Sequence, residues 1–188
     1  NIYKNASMYY ENSDIKNKNE RILTLENFAS EQLLKTTPGS DGQKRWFDSY
    51  IGSIRSDKGI KHLNQILSGT FVYSGLEVDQ DMRWSIIKAL SKLNFKDSLA
   101  LSSVELKKDQ SNRSKNSALA VEVLRPDVSN KKKWFSELIK PNTKRSLTEL
   151  KVIMRSLFPQ SQLALKKEIV PTWTSEIHSL SKNKDNNY

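Results

Sequence analysis

The chain has 188 residues, 36% hydrophobic and 28% charged, which is enough apolar material for one lean domain or a short array of repeats acting as one. It has no cysteine, so disulfides, thiol nucleophiles and cysteine-type zinc sites are excluded; nothing then demands an oxidising compartment, and a cytoplasmic location is expected. No apolar run approaches the roughly 18 residues of a membrane span, and 31 Lys and Arg against 21 Asp and Glu give a formal charge of +10.

No signal-peptide pattern opens the sequence, and a start at Asn1 reads as a cut within a longer polypeptide. With 6 Gly and 5 Pro as the punctuation, the apolar periodicity is helical almost everywhere. Ser13 is placed to cap a helix ending near Lys35, with Ile22, Leu25, Ala29 and Leu33 on one face. After the turn Thr36-Thr37-Pro38-Gly39, Ser40 and Gln43 have capping-box spacing, in which each side chain bonds the other's backbone N–H. The helix they open carries Phe47, Tyr50, Ile51 and Ile54. Asp57 is read as the next cap, followed by the stripe Ile60, Leu63, Ile66 and Leu67 and a left-handed stop at Gly69. A connector from Thr70 to Val78 is the one segment with strand character, too isolated to build a sheet.

Asp79 then caps a helix with Ile86, Ile87, Leu90 and Leu93. Further helices are expected over 96–108, 111–124, 129–139, 146–157 and 161–180. Ser146 and Glu149 form a second capping box. Pro126, Pro141 and Pro159 fall in the gaps, whereas Pro171 should break or kink the last helix, whose second half holds Trp173, Ile177 and Leu180. Residues 182–188 read as a frayed polar tail. Residues 1–188 are thus expected to be a single all-α domain, a curved array of antiparallel helix pairs in the manner of HEAT repeats, although no strict repeat is present.

The candidate chemistry is thin. A helical zinc site needs two histidines four apart with a glutamate between them. The two histidines, His62 and His178, are far apart and read as surface residues. There is no Gly-rich phosphate loop and no Gly-x-Ser-x-Gly elbow, so no catalytic residue and no metal ligand is assigned. Arg83 shares the inward face of Ile87 and Leu90. A charge there must be paired, and Asp79, one turn earlier, is the expected partner. Trp46, Trp84, Trp134 and Trp173 each lie near an apolar stripe. They are read as wedges between helices, with base stacking as the alternative. The densest basic run, Lys131-Lys132-Lys133, precedes Trp134 and Phe135 and is read as a solvated face, with a nucleic-acid patch as the alternative.

Several segments resemble words of the bacterial aminopeptidase N family. Thr37-Pro38-Gly39-Ser40-Asp41 with Gln43 and Trp46 resembles its PGSD-x-Q-x-x-W, and Gly75 to Trp84 resembles its GL-x-VD-x-D-L-R-W. Arg125-Pro126-Asp127 followed by Lys132-Lys133-Trp134 resembles its RP-x-x-x-x-K-x-x-W. Ser146-Leu147 and Phe158-Pro159-Gln160 follow in the family's order, so the likeness runs from about Thr36 to Ile177. Two positions depart from it: Ser114 stands where a glycine is expected, and Trp173-Thr174 replaces a Tyr-Phe pair.

The resemblance implies a parent gluzincin, a zinc exopeptidase that removes N-terminal residues from peptides. Its zinc and catalytic groups would lie in a separate domain of the same polypeptide, the partner of this one, and peptide substrates would be met only indirectly. This chain would be the helical C-terminal domain that curves over the active site and restricts access, inactive alone and holding no cofactor. Asp79, Arg83, Trp84, Trp46 and Trp134 would be structural, and part of the basic surplus would line the concave side and draw in peptide carboxylates. No membrane is implied. A free-standing basic domain that binds nucleic acid and a HEAT-like scaffold for protein partners are the rival readings.

Overall fold

The computed structural model describes residues 18–140 and 142–170. The expected cap Ser13, Pro141, the Pro171 kink, Trp173, Ile177, His178, Leu180 and the polar tail lie outside them. Within the described residues the secondary structure is helical, with no strand. In chain order the helices are α1 (Lys18–Lys35), α2 (Asp41–Ser53), α3 (Asp57–Ser68), α4 (Gln80–Lys92), α5 (Ser98–Lys108), α6 (Asn112–Leu124), α7 (Val128–Ile139), α8 (Leu147–Leu157) and, after a 3-10 turn at Gln160–Gln162, α9 (Leu163–Ile169).

The helix starts follow from cap chemistry. Ser40, Ser56, Asp79, Ser111, Asp127 and Ser146 each accept, through a side-chain oxygen, the N–H three residues on. Each satisfies a donor that the first turn leaves free. Two expected starts move. Ser56, not Asp57, caps α3, and Asp57 is its first residue. Asp127, not Ser129, governs α7, which begins at Val128. In both cases an Asp or Ser earlier in the sequence reaches the free donor with better geometry. The Ser146–Glu149 box forms in full. The Ser40–Gln43 box forms only by half, because the Gln43 amide is drawn elsewhere. Gly69 ends α3 at φ 77°, as its position predicts. The connector after it has no strand partner.

Helix contacts follow an alternating rule. α1 packs on α2, α3 on α4, α5 on α6 and α7 on α8, and α4 also packs on α5. The second members also form a continuous row, α2 on α4, α4 on α6 and α6 on α8. The first members make no comparably extensive contact with one another. One core cluster joins α1 to α4, from Ala29 and Leu33 through Phe47, Leu63 and Trp84 to Leu90. A second joins α7 to α9, with Trp134, Phe135, Leu150, Ile153 and Ile169. They meet at α6, where Val121 belongs to the first, and Leu119 and Val123 to the second.

Candidate functional site

Because the first members of the pairs barely touch, there is a seam between each and the next. What fills the seams distinguishes one part of the molecule from another.

The seam between α1 and α3 is closed by Glu26, a carboxylate only 6% exposed. One of its oxygens accepts the N–H groups of Arg55 (2.8 Å) and Ser56 (3.0 Å), and the other accepts the Ser56 hydroxyl at 2.5 Å. An anion at the start of α3 meets both its free donors and the positive end of its dipole. Gly59 leaves room for it: a Cβ there would lie 2.5 Å from Glu26 Oε1.

The seam between α3 and α5 is closed by Arg83, reaching back from α4. Its Nε and Nη2 donate to the two oxygens of Glu105 on α5, both at 2.8 Å, and Nη1 donates to the Leu67 carbonyl of α3 at 3.0 Å. Lys108 adds a bond to Glu105 at 3.2 Å. Glu105 is 1% exposed. Its hydrogen bonds to Arg83 and then Lys108 hold its carboxyl below the ordinary value despite burial, and the same pair raises Arg83. Arg83 is therefore paired, but not with Asp79. The Asp79 carboxylate is spent on the Met82 N–H as the helix cap, and the fork of the guanidinium is matched instead by a carboxylate 22 residues on. Trp84 beside it is fully buried, with its indole N–H on Ser114 Oγ at 3.1 Å. Ser114 in turn donates to Asp109 at 2.6 Å.

Two of the sequence words meet on the other side of α2. Gly75 has φ 73°, and a Cβ on it would fall 2.5 Å from the Gly39 nitrogen and 2.7 Å from the Pro38 carbonyl carbon. Only glycine allows this approach. Gln43 fastens the junction: its Oε1 accepts Gly39 N–H at 2.8 Å and its Nε2 donates to the Ser74 carbonyl at 3.0 Å. That is why the capping box at Ser40 is incomplete. Trp46 is half-buried, edge-on to Phe28 at 6.0 Å.

His62 is not a plain surface residue. It is half-buried, bonded through Nδ1 to the Tyr50 hydroxyl at 2.6 Å, and ringed by Tyr50, Phe71 and Tyr73. Burial, then Lys58, lowers its pKa. Phe71 and Tyr73 come from the connector, so this cluster pins that segment to α3.

The basic run also divides. Lys131 is fully buried, and its ammonium donates to the Val123 carbonyl at 2.7 Å. Burial pushes its pKa down to about 8. Lys132 and Lys133 are exposed, and Lys133 stands over the Trp134 ring at 4.8 Å. No continuous patch of three lysines exists, because Lys131 serves the end of α6. The last four carbonyls of that helix, which have no partner within it, are all met from outside. Ser91 takes Val121, Asn130 takes Glu122, Lys131 takes Val123 and Gln162 takes Leu124. Gln162 also reaches the Lys92 carbonyl at 3.1 Å and so ties the end of α4 to that of α6.

The third seam, between α5 and α7, stays open. A cleft of about 520 Å³ lies over α6, lined by one face of that helix between Asn112 and Glu122, by Arg145, Ser146, Thr148 and Glu149 at the start of α8, and by Leu106 and Trp134. Trp134 is 2% exposed, and its indole nitrogen is buried without a hydrogen-bond partner among the described residues. Arg145 lies 5.3 Å from its ring and pairs with Glu149 at 2.8 Å.

Among the described residues no group of three or more His, Cys, Asp or Glu side chains is placed to hold a metal ion, and no helix is long and apolar enough to cross a membrane. No family model matches the chain, and no curated protein matches it.

Proposed function

We propose that this chain is the non-catalytic helical C-terminal domain of a zinc aminopeptidase of the aminopeptidase N type. In this reading the helix pairs form a HEAT-like curved array, with the row α2, α4, α6 and α8 on its inner side. The array covers an active site provided by a separate domain of the same polypeptide and limits which peptides enter. The observation that carries the reading is the junction of the two best sequence words. Pro38-Gly39 of one and Gly75 of the other are pressed together, and Gln43 of the first word holds Ser74 beside the second. Arg83 and Trp84, which close the second word, serve the α3–α5 seam and the α4–α6 contact. Residues that recur as words in a family are here the residues that set how helix pairs stack.

The third word supports it as well. Counting its four spacers from Arg125-Pro126, the lysine falls on Lys131, the buried residue that caps α6. The Ser114 departure also has a use, since its hydroxyl receives Trp84. The zinc of such an enzyme would be held by the catalytic domain. His62, spent on Tyr50, offers no ligand set here, and no chemical step is assigned to this chain. The expected basic lining is mixed between α4 and α6: Asp81 of α4 pairs with Arg113 of α6 at 2.5 Å, with Lys88 nearby.

The test is to read the native coding region upstream of Asn1 and assay its product. A His-Glu-x-x-His helix, with chelator-sensitive release of N-terminal residues from peptides, is expected. A native gene without that motif would overturn the proposal.

A further inference from the structure

Polar groups at the first two seams are consumed by clamps; around the cleft Arg145, Ser146 and Glu149 bond one another, but five other polar side chains do not. The side-chain amides of Asn112 and Asn116, the Lys115 ammonium, the Glu122 carboxylate and the Thr148 hydroxyl make no hydrogen bond or ion pair among the described residues, and all line the same cleft. The indole N–H of Trp134, which also lines the cleft, is buried and has no acceptor among the described residues. Buried donors are nearly always satisfied, and a volume of about 520 Å³ is of the size that takes a small ligand or a few residues of peptide.

The spacing of these groups selects among ligands. Asn112 and Asn116 are one turn apart, about 6 Å along α6. An extended chain presents same-facing peptide groups every second residue, about 6.6 Å apart. An asparagine amide both donates and accepts, as a peptide group does. Leu106, Ala118 and Leu119 give the cleft an apolar floor. Lys115 lies between the asparagines and is exposed and unpaired among the described residues, while Glu122, about 10 Å further along the helix, sets the opposite charge at the other end.

We infer that this cleft binds a short extended peptide segment of a partner protein, its backbone held by Asn112 and Asn116 and an acidic side chain held by Lys115. The site is lined mainly by α6 and the start of α8, flanked by Leu106 of α5 and Trp134 of α7; that lining carries the inference, which does not rest on the aminopeptidase reading.

The test uses the 188-residue chain labelled with nitrogen-15, observing the Trp134 indole and the asparagine side-chain amides. The probes are the blocked peptides Ac-Ala-Glu-Ala-Ala-NH2 and its Gln and Lys counterparts. Having no free amino terminus, they are not aminopeptidase substrates, so failure here leaves that proposal untouched. The Glu peptide is expected to shift these resonances and to bind about tenfold tighter than the Lys peptide, a difference typical of one well-placed charge. Lys115→Glu, a change at an exposed site, should invert that order, and Asn116→Ala should weaken all three peptides alike. Unmoved resonances at millimolar peptide, an order unchanged by Lys115→Glu, or an equal response to a single-stranded oligonucleotide would each overturn the inference.

Discussion

Between α3 and α5 the gap is crossed by Arg83, which reaches from α4 to Glu105 and the Leu67 carbonyl. Between α5 and α7 the corresponding gap over α6 is crossed by no such clamp among the described residues, and a cleft remains. The two seams have similar raw material: a tryptophan, cations and a glutamate. They differ in commitment. At the first seam the carboxylate and guanidinium lie within 2.8 Å of each other and Glu105 is out of water, so the pair is a fastening. At the second, Arg145 is turned to Glu149 on its own helix start, and Lys115 and Glu122 are left to solvent or ligand. Charge that is mutually satisfied and buried fixes how the helices meet, whereas charge left uncommitted around a cleft is available for recognition.

The largest effect should come from breaking the fastened seam. Arg83→Met leaves Glu105 buried with only Lys108 for a partner and should cost about 3 kcal/mol in urea unfolding. Adding Glu105→Leu should recover much of that loss, since the unpaired buried charge goes too. If the double variant is no more stable than the single, the pair is not what closes the seam.

The next concerns the far end of α6. Lys131 has a pKa of about 8 in the folded chain against an ordinary 10.5. Between those values the unfolded chain binds more protons than the folded one, so stability should rise with pH from about 8 to 10.5 and lose that increment as pH falls back through 8. Discounted for residual hydration, the increment is about 2 kcal/mol. Comparing wild type with Lys131→Met across that range isolates it, because the variant lacks the slope. Parallel profiles would show that Lys131 is solvated.

The smallest effect belongs to the open seam. Lys115→Ala and Asn116→Ala should each leave stability within about 0.5 kcal/mol of wild type, because Lys115 is exposed, Asn116 is half-buried and neither side chain has a hydrogen-bond or ion-pair partner among the described residues. A loss above about 1 kcal/mol in thermal unfolding would mean that these side chains are structural, and the contrast between the seams would fail.

Much of this architecture was legible in local sequence. Helix starts are written as Ser or Asp before an apolar period, because a cap acts on a donor three residues away. Asp79, Ser111 and Ser146 cap as expected, and the errors at Asp57 and Ser129 are one or two residues. Gly69 ends α3, since its left-handed conformation is a property of one residue. The burial of Trp84 and Trp134 followed from their stripes.

What only the tertiary structure decided is which distant residues meet. That Arg83 needs a partner follows from its place on an apolar face, but Glu105 and not Asp79 supplies it, because the cap has already used Asp79. Lys131 looked like one of three solvated lysines until the fold brought the end of α6 above it. Gln162 joins carbonyls 70 and 38 residues earlier, and the cleft over α6 is a gap in packing that no local pattern encodes. Caps and periodicity act over three or four residues and so are readable along the chain; pairing, burial of charge and voids depend on packing between helices, which one sequence does not fix by local rules.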